Sequence, residues 1–512
     1  MNHTGHRGTQ RKIEKDVSTG CRVGEEARFA RWSLVSFAVY AFRSCILFLC
    51  LLAGNAPARD EGEGRPLAIV GATAIHPERE LPEAVAPGTT IVIHGSRIVA
   101  VGPTAQTPVP QGAQIIDARG KWVIPGLIDS HVHFFLSGNL YTRPDIANFT
   151  AAVPYAQEVA RNKARLPVTF RTWLASGVTS VVDVGGPLWN FEVCEAARRT
   201  RDAPRVAVAG PLISTVGRPT LELDDPPIIQ VRTAEEARAL VQRLRPYEPD
   251  YVKVWFIYTS VADLAAQETL VKAAGDAAHA GGARFAVHAT ELATAKAALR
   301  AGADMLVHSV TDAEVDEEFL MLAKQRNVLY CPTLFVLDGY GLALSNRWRP
   351  TEAEERLADP EVLAAMGDLA RLPEEKIPRG VRRAMREGSG MRTEPVAQVN
   401  LRKVWDAGIT VVMGTDAGNI GTLHGPAVFR EMRLMVQAGL TPLQVLRSAT
   451  THGAKAMGME GQIGAIAPGR LADLVVLDAD PLADIDNASR ISLVVKDGNL
   501  FPSAAPAATR PQ

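Results

Sequence analysis

The chain has 512 residues, a formal net charge of −1 and 47% hydrophobic residues. That length supports one large core together with a smaller second unit. Near-neutral charge without a sustained basic stretch excludes nucleic acid as an expected partner, and the Gly- and Pro-rich apolar composition predicts a folded α/β protein between its two ends.

Residues 1–58 differ from the rest. Basic residues are scattered through 7–31, and the apolar run that follows has Arg43 as its only charge. Its core, Cys45 to Gly54, has the length of a signal-peptide h-region and is too short to cross a bilayer comfortably. Ala56-Pro-Ala58 then offers a cleavage site. The expectation is a signal peptide and export to the periplasm or beyond. An uncleaved N-terminal anchor is the rival reading, and the sole membrane contact foreseen. Cys21, Cys45 and Cys50 lie in this leader, and Cys194 and Cys331 alone make no disulfide framework.

Residues 59–121 alternate short apolar runs with Gly/Pro turns: Leu67–Val70, Thr90–Ile93, Arg97–Val101 and Gln114–Ile116, the pattern of an antiparallel β unit. Similar runs return within 461–505, at Ala472–Leu477 and Ile491–Lys496. The two ends are expected to meet in one small β-sandwich. The middle, 122–460, holds eight apolar runs separated by helix-like segments: 127–133, 178–183, 205–209, 251–256, 284–288, 305–308, 328–331 and 409–413. Eight βα units predict a (β/α)8 TIM barrel, enlarged by a charged helical insertion at Arg349–Arg392 over its C-terminal face. A doubly wound open sheet is the alternative. No GxGxxG or Walker loop follows a strand.

Metal-ligand residue types end four of these runs. His131 and His133 stand at i and i+2, on one side of an extended strand. His288 and His308 lie twenty residues apart, the length of one helix plus turns. Asp416 sits in Gly414-Thr-Asp-Ala-Gly418, where a carboxylate can bind an ion and accept a proton, with capping of the next helix as the lesser alternative. Lys253 lies among apolar neighbours in Tyr251-Val-Lys-Val-Trp255. A snorkelling or salt-bridged lysine is the default there. The alternative is loss of its proton and addition of carbon dioxide, giving a carbamate able to bridge two ions.

The ordered set Pro125-Gly-Leu-Ile-Asp-Ser-His-Val-His133, Tyr251-Val-Lys-Val254, Val287-His-Ala289, Val307-His-Ser309 and Gly414-Thr-Asp-Ala-Gly418 resembles the amidohydrolase superfamily. Gly464-Ala-Ile-Ala-Pro-Gly-Arg-Leu-Ala-Asp-Leu-Val-Val-Leu-Asp478 extends the resemblance, which covers about residues 66–500. The nearest subgroup is imidazolonepropionase-like and includes Xaa-Pro dipeptidases. The resemblance implies a hydrolase with two divalent ions, zinc by expectation. His131, His133 and Asp416 would hold one ion, His288 and His308 the other, with carbamylated Lys253 between them and a shared hydroxide attacking a small amide or peptide. Asp416 would carry the proton to the leaving nitrogen.

Tyr141, Arg143, Arg218, Tyr258 and His424 lie in or near loops after the strands and are candidates for substrate contacts, Arg through bidentate carboxylate binding. His452 is expected on an outer helix. A one-ion deaminase is the enzymatic rival, since His288-Ala-Thr-Glu291 spells an HxxE spacing with Glu as proton shuttle. Hydrolysis of a cyclic amide, as in imidazolonepropionase, is a second rival and a non-catalytic scaffold a third. A homo-oligomer is compatible with the sequence.

Overall fold

The computed structural model describes residues 65–502 apart from 258 and 259, so the expected leader and Tyr258 lie outside the described residues. The chain ends build one eight-stranded sheet. From the N-terminal side come β1 (Leu67–Ile75), β2 (Val85–His94), β3 (Arg97–Pro103), β4 (Gln114–Asp117) and β5 (Trp122–Pro125). From the C-terminal side come β16 (Leu474–Leu477), β17 (Ile491–Lys496) and β18 (Asn499–Pro502). The order is β18-β17-β16-β5-β1-β2-β3, with β4 and β5 sharing one edge of β1.

Two facing sheets were the expectation, but hydrogen bonding makes this a single sheet that curls back on itself. The Ile98 amide donates to the Arg470 carbonyl at 2.9 Å and the Ala472 amide to Ser96 at 2.8 Å, returning β3 to the chain that enters β16. Inside the curl, alternate residues Leu67 and Ile69, and Ile91 and Ile93, pack with Ile98, Val123, Leu474 and Val495. The period of two in the sequence is therefore the inward face of each strand.

Between these ends run ten further strands. β6 (Leu127–Val132), β7 (Val178–Asp183) and β8 (Arg205–Val208) form one parallel sheet. β9 (Leu212–Ser214), β10 (Ile228–Gln230), β11 (Tyr251–Trp255), β12 (Arg284–His288), β13 (Met305–Val307), β14 (Leu329–Cys331) and β15 (Thr410–Val411) form a second parallel sheet, in the order β10-β9-β11-β12-β13-β14-β15. Each of the eight apolar runs is a strand, and β9 and β10 are additions after the third. β6 and β7 are buried along their whole length, as parallel strands covered on both faces require.

Backbone hydrogen bonds join the two parallel sheets at both edges. On one side β8 leads into β9, and the Asp250 amide donates to Val208 at 2.9 Å. On the other, the Ser130 amide donates to Met413 at 2.9 Å and the Asp416 amide to His131 at 2.7 Å. Gly414 permits this approach, because a Cβ there would overlap Cys331 Sγ and press on His131. The insertion after the seventh run is helical, at Glu352–Leu357, Pro360–Met366 and Arg379–Glu387. It shares an apolar cluster with Leu140, Phe149, Ile420 and Leu423 from the loops after β6 and β15. No helix among the described residues is long and apolar enough to cross a membrane.

Candidate metal centre

The strand register decides which side chains meet. In the parallel ladder Trp255 stands opposite His288, His288 opposite Val307, and Val307 opposite Cys331. His308, one residue beyond β13, therefore rises beside His288, and their ring centroids are 4.4 Å apart. Lys253 sits two residues deeper than Trp255 on the same side of its strand. From the opposite edge, His131 on β6 comes within 4.9 Å of His308, ring to ring, and within 5.2 Å of His133.

The atoms converge as ligands would. His131 Nε2 and His133 Nε2 lie 3.3 Å apart, and Asp416 Oδ1 lies 3.3 Å and 3.1 Å from them. Zinc–ligand bonds of about 2.0–2.2 Å at tetrahedral angles place ligand atoms roughly 3.3 Å from one another. Among the described residues, His131, His308 and Asp416 also bring one ligand atom each within 4.8 Å of the others. Buried Asp416 Oδ1 and Lys253 Nζ have no hydrogen-bond partner, a costly state for polar atoms unless something else binds them. This donor set fits a divalent ion.

Supporting groups fix the ligands. His133 Nδ1 faces the Gly185 carbonyl at 2.6 Å, leaving Nε2 as the lone-pair nitrogen, and His308 Nδ1 meets Thr333 Oγ1 at 2.6 Å. Asp129 accepts from the His131 amide at 3.2 Å, the Thr415 amide at 3.0 Å and the Thr415 hydroxyl at 2.6 Å, so one carboxylate aligns the first and last strands. Asp183 holds the turn beneath His133 through Gly185 and Asn190. Glu431 accepts from the amides of Leu334 and Phe335 at 2.8 Å and 2.9 Å, fixing the loop that carries Thr333. Asp129 stood inside a motif, but its role needed the tertiary fold. Asp183 and Glu431 had only the weak signal of an acid within an apolar segment.

Burial sets the charge states. It drives His131, His288 and His308 well below their ordinary value, with Lys253 adding to the effect at each. The Lys253 ammonium falls to about 7 through burial, partly offset by Asp416. Burial pushes Asp416 up, yet His133, His308 and Arg143 outweigh it and hold the carboxyl below its usual 3.8. Burial raises Asp129 and Asp183 to about 7 and Glu431 to about 8.

A cavity of about 210 Å³ opens above these groups. His131, His133, Lys253, His288, His308 and Asp416 all line it, with a mainly apolar remainder. Of the substrate-contact candidates among the described residues, only Arg143 lines it. Its guanidinium fork is already taken by Asp145 at 2.8 Å and 2.7 Å, and its remaining arm by Asn419 at 2.6 Å and Tyr340 at 3.1 Å. The fork expected for a substrate carboxylate is thus an internal ion pair.

Tyr141 is not among the lining residues, its hydroxyl donating to Asp368 at 2.8 Å. Arg218 lies over the Trp255 ring at 4.5 Å and 3.7 Å from Asp145, also outside the lining. His424 is buried behind the centre, its Nε2 3.1 Å from the His133 carbonyl and its ring stacked on Phe134. It supports the ligand strand and does not line the cavity. Glu291, the expected shuttle of a deaminase, does not line it either, and its carboxylate accepts from Thr290 and Thr294. His452 lies on helix Thr451–Ala456, with Nδ1 2.9 Å from the Val411 carbonyl, as an outer helix requires.

The amidohydrolase family model matches residues 122–501. The chain belongs to the amidohydrolase family. Imidazolonepropionase of Symbiobacterium thermophilum is 25% identical over 433 residues, covering 78% of this chain and 86% of that protein. Among solved structures, a Xaa-Pro dipeptidase with bound methionine matches at TM-score 0.64 and 24% identity, over 85% of this chain and 100% of the other. A prolidase complexed with N-methylphosphonate-L-proline matches at TM-score 0.63 and 26% identity, over 85% and 99%. This amidohydrolase is therefore a metal-dependent hydrolase of C–N bonds. The fold of these neighbours implies a TIM barrel plus a separate domain.

Proposed function

We propose that this amidohydrolase cleaves the amide or peptide bond of a small molecule at a two-ion centre on a closed (β/α)8 barrel, with Xaa-Pro dipeptides as the leading substrate type. In this reading His131, His133 and Asp416 would hold one ion, zinc first among candidates, His288 and His308 would hold the other, and Lys253, as its carbamate, would supply a ligand to both. The observation that carries this reading is the Lys253 amine, buried and unpartnered beside Asp416 in a cavity lined by four histidines. A lysine brought to about 7 is largely neutral at slightly alkaline pH and free to add carbon dioxide.

Divalent ions bound here would supply polarisation of the scissile carbonyl and activation of water. Asp416, kept ionised at neutral pH, takes the proton as the water oxygen bonds to the carbonyl carbon. It returns that proton to the nitrogen as the C–N bond breaks. Arg143, Tyr340 and Asn419 form a hydrogen-bonded part of the cavity wall.

Similarity to imidazolonepropionase favours a second reading, opening of a cyclic amide at the same centre. The leader 1–58 would direct the enzyme to the periplasm or outside the cell, with membrane anchoring as the alternative, which fractionation distinguishes. Metal analysis joined to a screen of Xaa-Pro dipeptides, N-acyl amino acids, lactones and cyclic ureides tests the activity. Two ions per chain with amide hydrolysis supports it. Activity confined to deamination of aminated heterocycles, or one ion indifferent to Lys253→Met, overturns it.

A further inference from the structure

Helix Val336–Leu344 supplies one wall of the cavity through Val336, Leu337 and Tyr340. Its remaining faces are clamped by glycines. A Cβ on Gly341 would overlap the Met391 carbonyl, and one on Gly390 would press into the Gly341 backbone. On another side Gly421 passes against the Gly339 carbonyl with no room for a side chain. Thr393 fastens the chain as it leaves the crossing, its amide donating to Asp338 Oδ1 at 3.0 Å and its hydroxyl to the Leu334 carbonyl. The backbone therefore fixes Met391 over the cavity.

The side chain at that fixed position is left half out in water. Met391 is 40% exposed while lining the cavity, and Ile146, from the loop after β6, is also 40% exposed and lines it. Two large apolar side chains at a concave mouth gain free energy when an apolar group covers them. Charge points the same way. Asp416 is the only carboxylate among the described lining residues, and it belongs to the ion centre. An ammonium lodged at the mouth would lose water without gaining a counter-charge.

Resting on the amide-hydrolase reading above, we propose that Met391 and Ile146 form the specificity-determining mouth of this enzyme, receiving a bulky, uncharged, apolar substituent on one side of the scissile amide. Met391 sets the size limit. Its unbranched thioether side chain adapts to the occupant, while its pinned backbone keeps that adaptation local.

The test uses the metal-loaded protein and N-acyl-L-prolines running from acetyl to octanoyl, with Xaa-Pro dipeptides carrying charged or apolar Xaa. In the wild type, kcat/KM rises with acyl length and apolar Xaa outruns charged Xaa. Met391→Trp lowers kcat/KM for the longest members by about tenfold or more and moves the optimum to shorter chains. Met391→Ala moves it to longer ones. Met321→Ala, an exposed methionine on the outer helix Glu317–Arg326, leaves the profile unchanged. Calorimetric titration with n-alkanoates of the same lengths reads the mouth without turnover. If no amide is cleaved but alkanoate affinity still climbs with length and falls in Met391→Trp, the reaction assignment fails and the mouth stands. Equal scaling of all chain lengths in the Met391 variants, or a preference for charged Xaa, overturns the inference. Should Met391→Trp fail to fold by circular dichroism, Ile146→Trp carries the same expectation.

Discussion

Replacing Lys253 by methionine is expected to stabilise the metal-free protein while abolishing activity. The side chain is 1% exposed, its Nζ meets no partner, and methionine fills a similar volume without the amine. The fall of the ammonium from its ordinary 10.5 to about 7 is equivalent to about 5 kcal/mol between protonation states. The sign follows from proton counting. Between about pH 7 and 10.5 the unfolded lysine is protonated and the folded one is not, so the unfolded state binds more protons and stability rises with pH across that window. From pH 7.5 to 9.5 this single group contributes a gain of about 2–3 kcal/mol.

Urea denaturation of metal-stripped, carbonate-free protein at those two pH values measures it. Other groups titrate in the same window, Lys496 at about 8 among them, so the quantity that counts is the difference between wild type and variant. The variant is expected to be more stable at pH 7.5 and to lack the extra 2–3 kcal/mol of alkaline gain. A variant less stable than wild type at pH 7.5, or with the same pH slope, would refute the account of Lys253 as an uncompensated buried amine. The same variant should bind one ion fewer, read by metal analysis after dialysis.

Asp129→Ala removes three hydrogen bonds that align His131 with Thr415, and should weaken metal binding about 10–100-fold in chelator competition while far-UV circular dichroism stays unchanged. Glu354, fully buried, receives a bidentate Arg430 at 2.7 Å and 2.6 Å, so Glu354→Ala strands a guanidinium and should cost about 3–5 kcal/mol in chemical denaturation. In metal-free protein, burial keeps His131, His288 and His308 from protonating near 6.5 as the unfolded chain does. These three groups therefore take about 3–4 kcal/mol from stability as pH drops from 7 to 5.5. Asp129, Asp183 and Glu431 gain protons in the folded protein and act in the opposite sense, so the histidine share is read as a difference. His288→Leu should lose about 1 kcal/mol of the wild type's acid-side change, and an unchanged pH slope would remove the neutral-histidine assignment.

The candidate ligands other than Lys253 were legible because each closes an apolar run, and such a run end is visible without tertiary information. That His131 could face the same side as His133, and His288 stand beside His308, follows from periodicity and spacing, whereas their reading as ligands of two ions rested on the family resemblance. All eight runs became strands for the same reason. What stayed hidden was pairing. Nothing local says that Arg143 is spoken for by Asp145 two residues on rather than waiting for a substrate, nor that His424 turns behind His133. Both outcomes are set by loops that fold against segments more than a hundred residues away, as Asn419 and Tyr340 do at Arg143. The curl of the terminal sheet was hidden likewise, because Ile98 and Arg470 meet only through their backbones.

The backbone at the centre carries a further signal that sequence could not. His308, Thr333 and Asp416 adopt φ of 76°, 46° and 61°, in the left-handed region that side chains other than glycine's disfavour. Each such residue costs of order 1–3 kcal/mol, so the surrounding fold must over-determine it. It does: the His308 amide donates to Cys331 at 2.9 Å, and the Asp416 amide to His131 at 2.7 Å. Thr333 is held between His308 Nδ1 and the loop fixed by Glu431. Two of the three strained residues are ligand candidates and the third touches one. Relaxing φ at His308 or Asp416 would swing the imidazole or carboxylate off the point where the other ligand atoms converge. The strain is thus the cost of aiming ligands from successive strand ends at one place, and the hydrogen bonds from β6 and β14 offset it.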